Sequence, residues 1–178
     1  MHTVPDIPEL DFPDDEKPYV ELLHGRRIQK PSLKLRHSMA QIRIGAALLK
    51  WAGEGAYVGT EWRFYMLPQH GKPSSLVPDV AFVSAARLES LAGQTREKPP
   101  FAPDIAVEIR SPDDACGVLR EKIELCFQHG SRLVVVADPE HRTIEMHDAG
   151  AAHTFEAGET ATCAAYPDLR LDVAELLR

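Results

Sequence analysis

Hydrophobic and polar positions alternate with a period of two from Pro103 to Arg110: Ile105, Val107 and Ile109 fall on one side, and Asp104, Ala106, Glu108 and Arg110 on the other. That pattern predicts a strand with Glu108 in its middle, flanked by hydrophobes. From roughly Cys116 to His129 the period becomes helical, with Leu119, Ile123, Cys126 and Phe127 at i, i+4, i+7 and i+8. Lys122 lies inside that apolar stripe, whereas Glu121, Glu124 and Gln128 cluster on the opposite, solvated face. The next run, Arg132 to Ala137, is apolar on both faces and predicts a central strand, closed by Asp138-Pro139. A lysine set among apolar neighbours needs a partner for its charge. Glu108 is the nearest strand carboxylate along the chain.

The remaining elements follow from shorter patterns. Tyr19 to Gln29 reads as a hairpin with Gly25 at the turn and Glu21 on its first arm. A helix is expected from about Ser38 to Trp51, with Met39, Ile42, Ala46 and Leu49 on one stripe and Gln41, Arg43 and Lys50 elsewhere. Tyr57 to Leu67 suits one strand or two short ones, and Pro68 to Pro73 is a turn cluster. Leu76 to Val83 reads as the next strand, in which Asp79 follows Pro78 and sits among Val80, Ala81, Phe82 and Val83. Ser84 to Leu91 reads as a short helix, and 92–100 as a loop. An edge hairpin is expected from Thr143 to Phe155, and a short strand and then a helix starting near Asp172 in the tail. Residues 1–18 are acidic and proline-bearing, the composition of an extended or disordered arm, and 19–178 are expected to form one domain.

Composition narrows the class. With 178 residues, the chain can bury a sizeable core. It has no apolar run near the roughly 18 residues of a membrane span and no signal-peptide core, so a cytoplasmic protein without a membrane partner is expected. Cys116, Cys126 and Cys163 form no Cys-x-x-Cys pair, so neither a disulfide framework nor a structural zinc site is indicated. A net charge of −7 argues against a strong non-specific grip on nucleic acid, but not against a locally basic or metal-bearing cleft. Arg26, Arg27, Lys30, Lys34 and Arg36 are the densest basic run, which reads either as a rim for such a cleft or, more commonly for such runs, as a solvated loop.

Asp79, Glu108 and Lys122 are therefore the candidate chemistry. Two carboxylates on neighbouring apolar strands repel unless protonated or shared by a cation, and such hard oxygens suit magnesium or manganese. A metal held there activates water and stabilises a phosphoryl oxygen, with a lysine ammonium orienting the water or neutralising the transition state. Those parts describe phosphodiester hydrolysis. The structural alternative is that Asp79 caps a turn after Pro78, Glu108 pairs with Arg110 or Lys122, and Lys122 snorkels. His37, beside the expected helix start, reads as a cap or surface group more readily than as a ligand. Asp113 and Asp114 are expected to stabilise the start of the next helix, just before Cys116.

Pro78-Asp79-Val80, the run Pro103 to Pro112 with Glu108, and Leu119-Arg120-Glu121-Lys122, followed by a strand ending Asp138-Pro139, together resemble the Uma-two family of restriction-endonuclease-like proteins in the PD-(D/E)XK nuclease superfamily. The resemblance runs in order from Glu21-Leu22-Leu23-His24-Gly25 to Leu169-Arg170-Leu171-Asp172. It implies an α/β (α+β) fold with a restriction-endonuclease-like αβββαβ core and a mixed sheet flanked by helices, plus an N-terminal hairpin. It also implies metal-dependent cleavage of DNA. Asp79 and Glu108 would be the metal ligands, Lys122 the lysine displaced from the strand onto the following helix, Glu21 a further acidic group at the site, and His37 support. Arg110 stands at the strand position where other superfamily members carry lysine. The sequence departs from the family at Ser32 to Arg36 and at Cys126-Phe127, where a short turn and a tyrosine are usual. Two alternatives stay open: a non-catalytic dimeric DNA-associated or partner-binding protein, and a phosphoesterase for small nucleotides. Cutting both strands of DNA would ask for a homodimer.

Overall fold

The computed structural model describes residues 19–30, 34–67, 72–111, 116–148 and 150–178. The expected arm at 1–18, the helix-start residues Asp113 and Asp114, and most of the turn cluster at 68–73 lie outside those residues. In chain order the elements are β1 (Val20–Leu23), β2 (Arg26–Gln29), α1 (Leu35–Ala52), β3 (Tyr57–Thr60), β4 (Phe64–Met66), β5 (Ser74–Leu76), β6 (Val80–Val83), α2 (Ala85–Glu89), β7 (Ile105–Ile109), α3 (Cys116–Gln128), β8 (Leu133–Asp138), β9 (Thr143–Asp148), β10 (Ala151–Glu156), β11 (Thr160–Ala161), β12 (Leu171–Asp172) and α4 (Val173–Leu176). Among the described residues no helix is long and apolar enough to cross a membrane.

A mixed six-stranded sheet in the order β10-β9-β8-β7-β6-β3 forms the centre. Its one parallel pair is β7 with β8, joined by α3, the crossover that parallel neighbours need. α1, β3, β6, β7, α3 and β8 follow the expected αβββαβ order, with β4 and β5 inserted between β3 and β6. The insert joins the hairpin in a second sheet, β2-β1-β5-β4. The hairpin closes at His24 and Gly25, whose φ values of 50° and 78° are the left-handed pair that a two-residue turn demands. A Cβ on Gly25 would also stand 2.6 Å from Lys72 Cδ.

Both faces of the central sheet are covered. Val80, Phe82, Ile105, Val107, Ile109, Leu133 and Val135 pack with Ile44 and Leu48 of α1 and Val173 and Leu176 of α4. On the other face Ala81, Val83, Ala106 and Val134 pack with Leu125 and Cys126 of α3 and with Leu23, Phe64, Met66 and Leu76 of the small sheet. Strand alternation puts Glu108 on that second face, in line with Ala106.

Three local readings change. The strand expected over Leu76–Val83 is two strands, β5 and β6, in different sheets. Pro78 has no N–H for a ladder, and Asp79 lies just before β6, where its N–H donates to Val107 O at 3.0 Å. α1 turns His37, Ala40, Gln41, Ile44 and Leu48 inward. The stripe at Met39, Ile42 and Leu49 is therefore the exposed one. The helix is apolar on two sides, and its inward side is the one whose polar residues meet Asp79. Finally, the hairpin expected at the sheet edge has only β10 there, because β9 pairs with β8.

Candidate active site

Three elements and the segments after β2 and before β6 bring five buried acidic and lysine side chains together, with buried His37 of α1 beside them. β1 carries Glu21, the segment after β2 carries Lys30, the approach to β6 carries Asp79, β7 carries Glu108 and α3 carries Lys122. Glu21 and Leu23 are two residues apart on β1, so Glu21 follows buried Leu23 inward. On α3 the buried residues are Lys122, Leu125 and Cys126, so Lys122 is turned into the protein alongside the expected Cys126.

Lys122 Nζ lies 2.8 Å from Glu108 Oε2 and 2.6 Å from Glu21 Oε2. Glu21 Oε1 accepts from Val77 N at 2.7 Å, which fixes the carboxylate against the segment leading to Asp79. Glu108 thus pairs with Lys122, while Arg110 turns to Asp138 and Glu145 at 3.8 and 4.0 Å. Glu108 Oε1 is buried and has no hydrogen-bond partner.

Asp79 is held from every side and caps no turn. Its Oδ1 accepts from Lys30 Nζ at 2.7 Å and its Oδ2 from Ile109 N at 2.7 Å. His37 Nε2 stands 3.3 Å from Oδ2. Gln41 Nε2 donates to the Asp79 carbonyl at 3.0 Å. His37 is buried within the first turn of α1, and its Nδ1 has no partner. The α1 N-cap is Lys34, so His37 is not a cap.

Two of these contacts were not legible as a site. Lys30 belonged to the expected solvent-facing basic rim, yet it is buried and also donates to Val77 O at 2.6 Å. Its signal is alternation: Lys30 shares a side with Ile28, the least exposed residue of β2. Gln41 lies one helical turn after His37, and this i, i+4 spacing puts both on one face. Arg26 of the same expected rim pairs with Glu121 of α3, and Arg36 is exposed.

The electrostatics separate the two carboxylates. Burial pushes the Glu108 carboxyl up, to about 7, against the pull of Lys122 and with the charge of Glu21 adding to the rise. Burial acts the same way on Asp79, but the Lys30 ammonium and the His37 contact outweigh it and hold the group below the usual carboxylate range. For Lys122, burial is outweighed by Glu108 and Glu21, so the amine stays protonated well above its ordinary range. It is a fixed cation rather than a base. The Cys126 thiol beneath the site is pushed up to about 12 by burial and the charge of Glu108, so it is no nucleophile.

Among the described residues no group of three or more His, Cys, Asp or Glu side chains is arranged to hold a metal ion by itself. Lysine ammonium groups pair with the carboxylates of the cluster. The donor set nevertheless fits a hard divalent cation: Asp79 and Glu108 offer oxygens, and Glu108 Oε1 is a buried acceptor with nothing to accept from.

Comparison with known proteins agrees with this architecture. A crystal structure described as that of a putative nuclease belonging to DUF820, from Anabaena variabilis ATCC 29413, superimposes with a TM-score of 0.79 and 24% identity, covering 94% of this chain and 93% of that one. At that identity the match shows the fold. No curated protein matches the chain. The family model described as "Uma2: Putative restriction endonuclease" matches residues 4–174, nearly the whole sequence, and the chain belongs to that family.

Proposed function

We propose that the chain is a metal-dependent endonuclease that hydrolyses DNA phosphodiester bonds, with Asp79 and Glu108 holding magnesium or manganese. The observation that carries this reading is the convergence of Asp79 and Glu108, from adjacent strands, on one buried cluster with an unpartnered Glu108 Oε1 and a charge-fixed Lys122. A divalent ion bound there supplies a lowered pKa for water and a positive charge for the phosphoryl oxygen. Lys122 Nζ, protonated and 2.8 Å from Glu108, stabilises negative charge as it develops. Glu21 positions that ammonium and holds the Val77 amide. Glu108, whose carboxyl burial raises to about 7 in the metal-free protein, would offer its oxygens to the ion in its ionised form. His37 and Gln41 fix Asp79 from α1.

DNA is the proposed substrate because cationic side chains gather against α1, whose Arg36 precedes His37 in the chain. Arg36, Arg43, Arg142 and Arg178 line a cavity of about 310 Å³ together with Glu140. Backbone phosphates are the ligand for such a surface. We place the protein in the cytoplasm, where this substrate is met. A homodimer belongs to the same proposal. Among the described residues, the exposed large hydrophobics Leu35, Met39, Ile42 and Leu49 all lie on α1. Their 4-3-7 spacing follows the seam by which like helices pack, and a second copy supplies a second site for the second strand.

The test is cleavage of supercoiled plasmid, single-stranded DNA and bis(p-nitrophenyl) phosphate with magnesium or manganese. Plasmid nicking or linearisation that needs metal supports the endonuclease. Turnover of the small diester alone supports the phosphoesterase. No turnover and no metal binding by calorimetry leaves the buried charges a structural role.

A further inference from the structure

Lys30 takes no part in the proposed hydrolysis, although its contact with Asp79 is as short as any that residue makes. The side chain runs inward from the end of β2, is buried, and donates to Asp79 Oδ1 at 2.7 Å and Val77 O at 2.6 Å. Asp79 Oδ2 is already taken by Ile109 N at 2.7 Å, with His37 Nε2 at 3.3 Å. Both oxygens of the aspartate therefore already face donors, and the Lys30 ammonium is a full positive charge that repels an incoming cation. The Ile109 amide belongs to β7, a central strand fixed by partners on both sides. His37 is fixed in the first turn of α1. Lys30 is tethered by a flexible four-carbon stem, so it is the donor that can move.

Charge points the same way. The carboxylates of Glu21, Asp79 and Glu108 face the ammonium groups of Lys30 and Lys122, which leaves one excess negative charge in a buried cluster. A divalent ion added beside both lysines would turn that into one excess positive charge. With Lys30 gone from the cluster the same ion leaves it neutral, the state that costs least in a buried site.

We propose that Lys30 is a tethered cation standing in the metal's place on Asp79, which a divalent ion must displace, so that Lys30 sets the metal affinity of the site. The inference rests on the metal-dependent reading of Asp79 and Glu108. Lys30 is a positioning residue in this role: it keeps Asp79 in place and paired while no ion is bound, and it weakens binding by the free-energy cost of its own release.

The test measures manganese binding to the full chain at pH 8 by calorimetry and by thermal shift, for the wild type, Lys30→Gln and Lys30→Met. Glutamine keeps a donor for Asp79 and Val77 O but removes the charge. Removal of a competing unit charge at hydrogen-bond distance is expected to tighten manganese binding by about ten-fold or more. Equal or weaker binding by Lys30→Gln than by the wild type overturns the inference and leaves the metal reading standing. Absence of binding in all three proteins overturns both. A second measurement needs no substitution and decides the matter if the variants do not fold. Reductive methylation of the wild type, read by mass spectrometry, is expected to modify Lys30 faster with manganese than without it, while Lys122 stays protected. An unchanged Lys30 rate overturns the displacement.

Discussion

Replacing Lys122 by methionine removes the shared cation of two buried carboxylates and keeps the side-chain volume. Glu21 is fully buried and Glu108 nearly so, at 0% and 7% exposure, so neither can turn to water. Their ammonium partner lies at 2.6 and 2.8 Å. Loss of one partner of such a pair costs about 3–5 kcal/mol. At pH 8 we expect Lys122→Met to be less stable by about 4 kcal/mol, which lowers Tm by about 8–16 °C in a domain of this size. The loss must depend on pH. Glu108 already has a raised pKa, about 7, in the folded wild type. Without Lys122 the two carboxyls together hold roughly one further proton across the neutral range, and each pH unit of such a difference is worth about 1.4 kcal/mol. Between pH 8 and pH 5.5 the gap between the two proteins therefore shrinks by about 3 kcal/mol. Urea melts of both proteins at the two pH values measure it. A destabilisation under about 1 kcal/mol, or one of equal size at both pH values, would refute the view that Lys122 neutralises both Glu21 and Glu108.

Other expectations follow from the same cluster and its surroundings. The folded Glu108 pKa lies above its unfolded value, so this group's contribution to stability is fully present below the ordinary glutamate range and is lost as pH rises toward about 7. Manganese needs the ionised form, so thermal stabilisation by manganese should be small at pH 6 and grow to pH 8, and Glu108→Gln should abolish it. Asp79 has the opposite sign, since its pKa is depressed: its contribution is present above the ordinary aspartate range and is lost in acid, so Asp79→Asn should flatten the acid limb of the stability curve. Arg36→Glu with Arg142→Glu should weaken DNA binding and lower the salt slope by about one for each phosphate that is no longer neutralised, read by fluorescence anisotropy at several salt concentrations. Ile42→Glu on the exposed face of α1 should turn a dimer into a monomer in sedimentation while leaving the melting curve nearly unchanged.

The parts of this fold that were legible in the sequence are those in which burial imposes a period. β7, α3 and β8 are enclosed by packing, and their apolar alternation and stripe can be read directly. The Glu108–Lys122 pair was legible for the same reason, because a charge inside an apolar pattern has to be neutralised. The orientation of α1 was not, since the helix carries apolar residues on two sides and the inward one includes His37 and Gln41, whose polar character points outward on any hydrophobic scale. The split between β5 and β6 was hidden because apolar residues flank Pro78-Asp79 on both sides and so read as one strand. Glu21 entered only through the family resemblance, although its spacing from Leu23 carries the inward signal. Lys30 was misread because a short basic run looks solvated unless one asks which of its members shares a side with a buried neighbour.

The most direct test of the central claim is the manganese-dependent rate of plasmid nicking by the wild type and by Glu108→Gln at pH 8, each shown to be folded by its melt. Glutamine preserves the shape of the side chain and leaves Lys122 paired with Glu21, so the fold survives while the second metal-binding carboxylate is gone. We expect nicking by the wild type that vanishes with chelator, and a drop of about a hundred-fold or more in the variant. Equal rates in the two proteins would contradict the assignment of Glu108, and no metal-dependent nicking by the wild type would contradict the nuclease itself.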